Sequence, residues 1–354
     1  MKKIWIGIAA LITVGLVWAP MSGAQQPVKL KMTSFLPPPQ VSMLAEISQI
    51  WQQEVTKKTN GAITFENYWG GAMATPAEHI ELVKKETVQL AQTHQWYTPG
   101  KFPLGHFEYV FPFGPMDYEL VAKAMRQIRS EFPEFARDEA KENVIVLMTP
   151  PGGVYTMLAK KAINTTDGFK GEKVALIGRF FGKWLPPGAQ AIVRPGGERY
   201  DLLQRGVTSV NIDPIDLMYA FKLAEQAKYH LSVNLTTACW AHTMINMDTF
   251  KSLSQEQKKI LIETGKEMEL RASREIIPKW VERIQKEWKT QGVKEVDFPQ
   301  AEIDKWAATL EDVPAQFAAE LEGKGYPGWK LVQRWQEITA DLGFKWARKW
   351  GVKK

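Results

Sequence analysis

The chain has 354 residues, 45% of them hydrophobic, and a single cysteine, Cys239; packing must hold the fold together, because a lone cysteine has no internal disulfide partner. The formal charge of +6 comes from basic residues interleaved with acidic ones, without the basic run that tracks a nucleic acid, so no nucleic-acid partner is expected. Without its leader the chain keeps roughly 330 residues, more than one hydrophobic core usually organises, which predicts two domains.

Lys2 and Lys3 precede an apolar run over 4–19, and Pro20, Ser22, Gly23 and Ala24 close it. This is the charge, length and exit pattern of a secretory signal peptide cleaved after Ala24, with an uncleaved anchor as the alternative. A periplasmic protein is expected.

Residues 28–33 alternate as a strand does, and Pro37, Pro38 and Pro39 must end it because proline lacks the ladder donor. Leu44, Ile47, Ile50, Trp51 and Val55 recur at helical spacing over 41–58, and Asn60-Gly61 is a natural stop. A strand at 63–68, a helix at 76–85 and a strand at 88–93 complete a β-α-β-α-β order, which argues for a largely parallel sheet covered by helices.

The pattern recurs after a proline- and glycine-rich hinge. Strands are predicted at 144–148, 154–158, 173–177, 191–193 and 207–212, with a helix at 198–204. Ser254 opens a long helical pattern with a capping-box arrangement and continues to about Trp288; Pro278 inside it predicts a kink or two abutting helices. The tryptophan-rich tail over 301–350 is predicted helical. The fold class is therefore α/β in two lobes.

GxSxG, HExxH, Walker and CxxC patterns are absent, and the five histidines are too scattered to propose a metal cluster. Gly152-Gly153 and Gly196-Gly197 lack GxGxxG spacing before a helix, so no nucleotide or other cofactor is expected. His230 and His242 are expected to stand singly at element ends.

Several phrases, in order, carry a family resemblance: WQQEVTKKTNG at 51–61, TVQLAQT at 87–93, YVFPF at 109–113, DGFKGEKV at 167–174, ERYDLLQRGV at 198–207 and FKLAEQAKYH at 221–230. The chain resembles the periplasmic solute-binding proteins of TRAP transporters from about Leu30 to Leu261. The resemblance implies a non-catalytic, two-lobe periplasmic binding protein with mixed sheets and a long helix that spans both lobes and bends as they close. One lobe would take residues 25–149 with about 236–275, the other 150–235 with about 276–354. It further implies a small-molecule ligand, typically an organic acid, held between the lobes and passed to a membrane permease.

Three positions depart from the family's acid-binding pattern. Ala175 stands where the family's clamp arginine would be, Tyr155 where some members place a second arginine, and Asp213 where an asparagine precedes Pro214. Alanine cannot replace a bidentate guanidinium. A displaced cation, Arg179 or Arg194, is one way to keep an acid ligand; a neutral or cationic ligand held by Asp213 and aromatic faces is another, and a metal on Asp213 bridging an acid is a third. Phe35, Tyr68, Trp69, Trp96 and Trp240 follow or interrupt strands where the cleft should lie, so each is a candidate wall or a core residue, and His94 is a candidate hydrogen-bonding group. Trp329, Trp335, Trp346 and Trp350 are assigned to helix packing.

Overall fold

The computed structural model describes residues 27–353 except 179 and 195, so the predicted leader and Arg179 lie outside the described residues. Along the first unit run β1 (Val28–Ser34), α1 (Met43–Lys58), β2 (Ile63–Tyr68), α2 (His79–Lys84) and β3 (Leu90–Thr93), followed by a 3-10 segment at Pro103–Val110, α3 (Tyr118–Glu131), α4 (Glu134–Lys141) and β4 (Val144–Met148). The second unit holds β5 (Tyr155–Ala159), β6 (Lys173–Leu176), β7 (Gln190–Val193), α5 (Arg199–Gln204), β8 (Val210–Pro214), α6 (Ile215–Ala220) and β9 (Tyr229–Thr236). There follow β10 (His242–Asn246), α7 (Met247–Ser252), α8 (Gln255–Arg271), α9 (Ile277–Thr290), β11 (Lys294–Val296), α10 (Gln300–Thr309), α11 (Val313–Gly323) and α12 (Gly328–Asp341).

Helix α1 forms because Leu44, Ile47, Trp51 and Val55 make one fully buried stripe, and the Ser42 side chain accepts from the Ala45 amide at its start. It ends where Asn60 and Gly61 take left-handed backbone conformations. The returning chain forms β2, which pairs parallel with β1 from Val28 opposite Ile63 to Thr33 opposite Tyr68.

Two sheets result, ordered β2-β1-β3-β10-β4 and β11-β9-β5-β8-β6-β7. The first is mixed: β1 runs parallel to β2 and β3, but β10 returns from the second unit and pairs antiparallel with both β3 and β4. That corrects the expectation of a largely parallel sheet. Strand β10 is buried at all five positions, so it lacks the alternation that marks a strand in sequence. His242 opens β10, and His230 lies at the second position of β9.

The chain crosses between the sheets at 149–154 and 237–241, and these two crossings bond to each other. The Gly152 amide donates to Ala238 O at 2.9 Å, and the Thr237 hydroxyl donates to Gly152 O at 2.8 Å. Gly152 has no room for a side chain, because a Cβ there would sit 1.5 Å from Trp240 Nε1. The third connection is the long helical run. Ser254 and Gln257 form the predicted capping box, and α8 passes into a π turn at Ala272–Ile276 before α9. Pro278 stands at the start of α9, so the expected irregularity falls just ahead of the proline, whose missing N–H frees a carbonyl one turn back.

The tail differs from expectation. Helices stop at Asp341, and residues 342–353 carry none. Helix α12 packs on α3, and α11 on the 103–110 segment. Trp335 and Trp350 are buried there, with the Phe107 ring edge-on to Trp335 at 5.2 Å. No helix among the described residues is long and apolar enough to cross a membrane.

Candidate functional site

A cavity of about 670 Å³ opens between the two sheets, within the size range of small-molecule sites. It is built from segments that leave or enter strands at one end of each sheet, the usual place for a ligand in α/β architecture. From the first sheet come Phe35 after β1, Gly70 and Gly71 after β2, Trp96 and Tyr97 after β3, and Trp240 before β10. From the second come Tyr155 at the start of β5, Ile177 after β6, Val193 and Arg194 at the end of β7, Arg199 at the start of α5, Asp213 in β8, and Leu217 and Phe221 around α6.

The first-sheet side is aromatic. Phe35 meets Tyr97 edge-on at 5.5 Å and lies 6.4 Å from Trp240; Trp96 and Tyr97 are edge-on at 5.7 Å. Burial pushes the Tyr97 hydroxyl up to about 12, so it stays a neutral phenol. On the opposite side, Tyr155 stacks on Phe181 at 4.7 Å, and burial likewise holds its hydroxyl well above the ordinary range.

Arg199 supplies a buried cation. Its side chain is 1% exposed and forms an ion pair through Nη1 with Asp213, also 1% exposed. Nε donates to Arg194 O at 3.2 Å and Nη1 to Ile212 O at 3.4 Å. The Asn211 amide donates to Asp213 Oδ2 at 2.9 Å. Burial pulls the guanidinium down to about 10, with Tyr155 and Tyr97 opposing that, so Arg199 is a cation at neutral pH. These contacts engage Nε and Nη1.

Of the predicted site residues, Phe35, Trp96, Tyr155, Arg194, Asp213 and Trp240 meet around this cavity. Arg194 stands at its rim, 55% exposed, with Nη1 donating to Val193 O and Glu198 at 3.7 Å. Trp69 is half-buried against the core and does not line the cavity, and Tyr68 bonds to Glu66 instead. His94 lies behind the wall: its Nδ1 accepts from the Trp96 amide at 2.9 Å, and Nε2 is 3.2 Å from the Tyr109 hydroxyl. Burial drives His94 well below its ordinary value, so the ring is neutral and positions Trp96. Arg179 lies outside the described residues. Among the described residues no group of three His, Cys, Asp or Glu side chains could hold a metal.

Arg199 was not singled out in the sequence. The available signal was its spacing: it precedes Leu203 by four residues on one face of α5, and Leu203 is fully buried. A charged residue on a buried helical face needs a partner, and the strand that follows supplies Asp213.

The chain belongs to the bacterial extracellular solute-binding protein family 7, whose model matches residues 37–321. No curated protein matches it. Among solved structures it is similar to a TRAP solute-binding protein from a marine metagenome, specific for aromatic acid ligands and bound to metahydroxyphenylacetate (24% identity, 90% of this chain and 100% of that one, TM-score 0.77). It is also similar to a TRAP solute-binding protein from Rhodoferax ferrireducens bound to benzoate (22%, 89% and 98%, 0.77). A third is from Bordetella bronchiseptica, bound to (R)- and (S)-mandelate (22%, 89% and 100%, 0.76). The resemblance read from the sequence phrases and the two-lobe α/β architecture are thus borne out.

Proposed function

We propose that this chain is the extracytoplasmic receptor of a TRAP-type secondary transporter, capturing a small organic acid with an aromatic-sized apolar body and passing it to a membrane permease. The observation that carries this is the 670 Å³ cavity, which sets an aromatic wall of Phe35, Trp96, Tyr97 and Trp240 across from the buried guanidinium of Arg199. Aromatic faces take the ligand body, and the guanidinium of Arg199 pairs with its carboxylate. Arg199 thereby fills the role that Ala175 and Tyr155 cannot. The aromatic acids found in similar structures support this ligand class.

Lobe closure about the crossings at 149–154, 237–241 and the π turn would bury the ligand, with α11 and α12 riding on the first lobe, where they pack, rather than on the second, where the sequence assigned them. Export would follow cleavage near Ala24. The solute-binding family to which the chain belongs supports a role in capture rather than catalysis. Asp213 is engaged by Arg199, which weighs against a cationic ligand or a bridging metal.

A thermal-shift series on the mature chain tests the proposal, since a ligand that binds only the folded state raises its melting temperature. Benzoate and mandelate should raise it and benzyl alcohol should not. A rise with benzyl alcohol or a quaternary amine alone would refute the acid assignment.

A further inference from the structure

The charges around the cavity are unequal. Among the described lining residues, Arg194 and Arg199 are cations and Asp213 is the one carboxylate, so two positive charges meet one negative. Tyr97 and Tyr155 are neutral phenols. Asp213 cannot turn away from this account: it is buried, ion-paired to Arg199 and held by Asn211. Resting on the acid assignment above, we propose that Asp213 is a specificity-determining residue that limits the cleft to ligands carrying one negative charge.

The buried pair of Arg199 and Asp213 is neutral by itself, so a monoanion bound at the guanidinium is balanced by Arg194 at the rim. A second ligand carboxylate meets no further cation among the described lining residues and shares the enclosed space with Asp213. Like charges in a low-dielectric cleft repel with little screening, and an unpaired buried charge is costly. The carboxylate of Asp213 therefore excludes dianions by charge, without contributing to the apolar fit. It also positions Arg199, since it and the Ile212 and Arg194 carbonyls fix the guanidinium on its Nε and Nη1 side.

The test uses a pair of probes of equal shape, terephthalate and 4-carbamoylbenzoate, which differ by one charge. Titration calorimetry on the mature protein should give 4-carbamoylbenzoate at least about tenfold tighter than terephthalate. In Asp213→Asn that preference should shrink by about tenfold or more. Equal affinities in the wild type, or an unchanged preference in a folded Asp213→Asn, would overturn the charge rule. Should Asp213→Asn not fold, the wild-type comparison decides alone. If both anions bind without discrimination, only the charge rule fails. If neither binds and neutral benzamide does, the acid assignment fails and takes the rule with it.

Discussion

The two sides of the cleft are built by different physics. On the first-sheet side, Phe35, Trp96, Tyr97 and Trp240 hold their places through ring contacts and a buried histidine, and none carries a charge. On the second-sheet side, Arg199 and Asp213 hold each other with both chains about 1% exposed. Apolar packing is tolerant of detail, whereas a buried ion pair fails when one partner is lost. The aromatic side should therefore set how tightly a ligand binds and the charged side which ligand is admitted.

The sharpest break in that comparison is Arg199→Leu. It strands the Asp213 carboxylate in the interior, and loss of one partner of a buried pair costs about 3–5 kcal/mol. Urea denaturation should show that loss, and acid binding should disappear. Retained benzoate affinity in Arg199→Leu would mean that the charged side does not choose the ligand.

The two sides also titrate in opposite senses. His242 packs beside His94, 4.9 Å between rings, and burial lowers it to about 3. It stays neutral in the folded chain while the unfolded chain takes up a proton below about 6.5, so its contribution to stability is lost as pH falls from about 6.5 toward 3. Asp216, at the start of α6, accepts from the Gly153 amide at 3.1 Å, and burial raises it to about 7. Its contribution is present below about 4 and is lost as pH rises to about 7. At pH 4.5 relative to pH 7, His242→Gln should gain on the wild type by on the order of 3 kcal/mol, and Asp216→Asn should lose by a similar amount. Chemical denaturation at the two pH values measures both, and parallel behaviour of the two variants would erase the distinction.

The aromatic side can be probed with two tryptophans of similar burial. Trp96 lines the cavity and Trp69 does not, though both follow a strand of the first sheet. Trp96→Ala should weaken an aromatic acid by roughly 2 kcal/mol, about thirtyfold, and Trp69→Ala should leave it unchanged. Equal losses would show that the wall is wider than the cavity described.

The sequence disclosed what local patterns encode. Strand β2 and the Ser254 capping box fall where periodicity and caps predicted them, because alternation and the N3 glutamine are local signals. Strand β10 carried no such signal, since its partners Leu90 and Val144 stand far away in the chain and all five of its residues are buried. At the site, the aromatics after strands were visible one by one. Which of them face the cleft depends on the direction each loop takes, which separates Trp96 from Trp69. Arg199 stayed hidden because the residue that explains it, Asp213, lies in the next strand and meets it only once α5 folds back along β8.

The smallest effect should come from Arg194, and its size decides where the charged side ends. Its side chain is 55% exposed and its nearest carboxylate, Glu198, is 3.7 Å away and equally solvated. A pair of that kind contributes at most about 1 kcal/mol, so Arg194→Ala should leave stability within that margin. Its effect on an acid ligand should be a severalfold loss that fades in high salt, because water and ions screen a rim charge within about 10 Å at 0.1 M. The Arg199 effect should persist in salt, since its guanidinium is shut away from the ions that screen Arg194. Titrations at low and high salt on the two variants separate these behaviours. If Arg194→Ala instead abolishes binding at every salt concentration, the anchor sits at the rim, and Arg199 serves only to keep Asp213 neutralised.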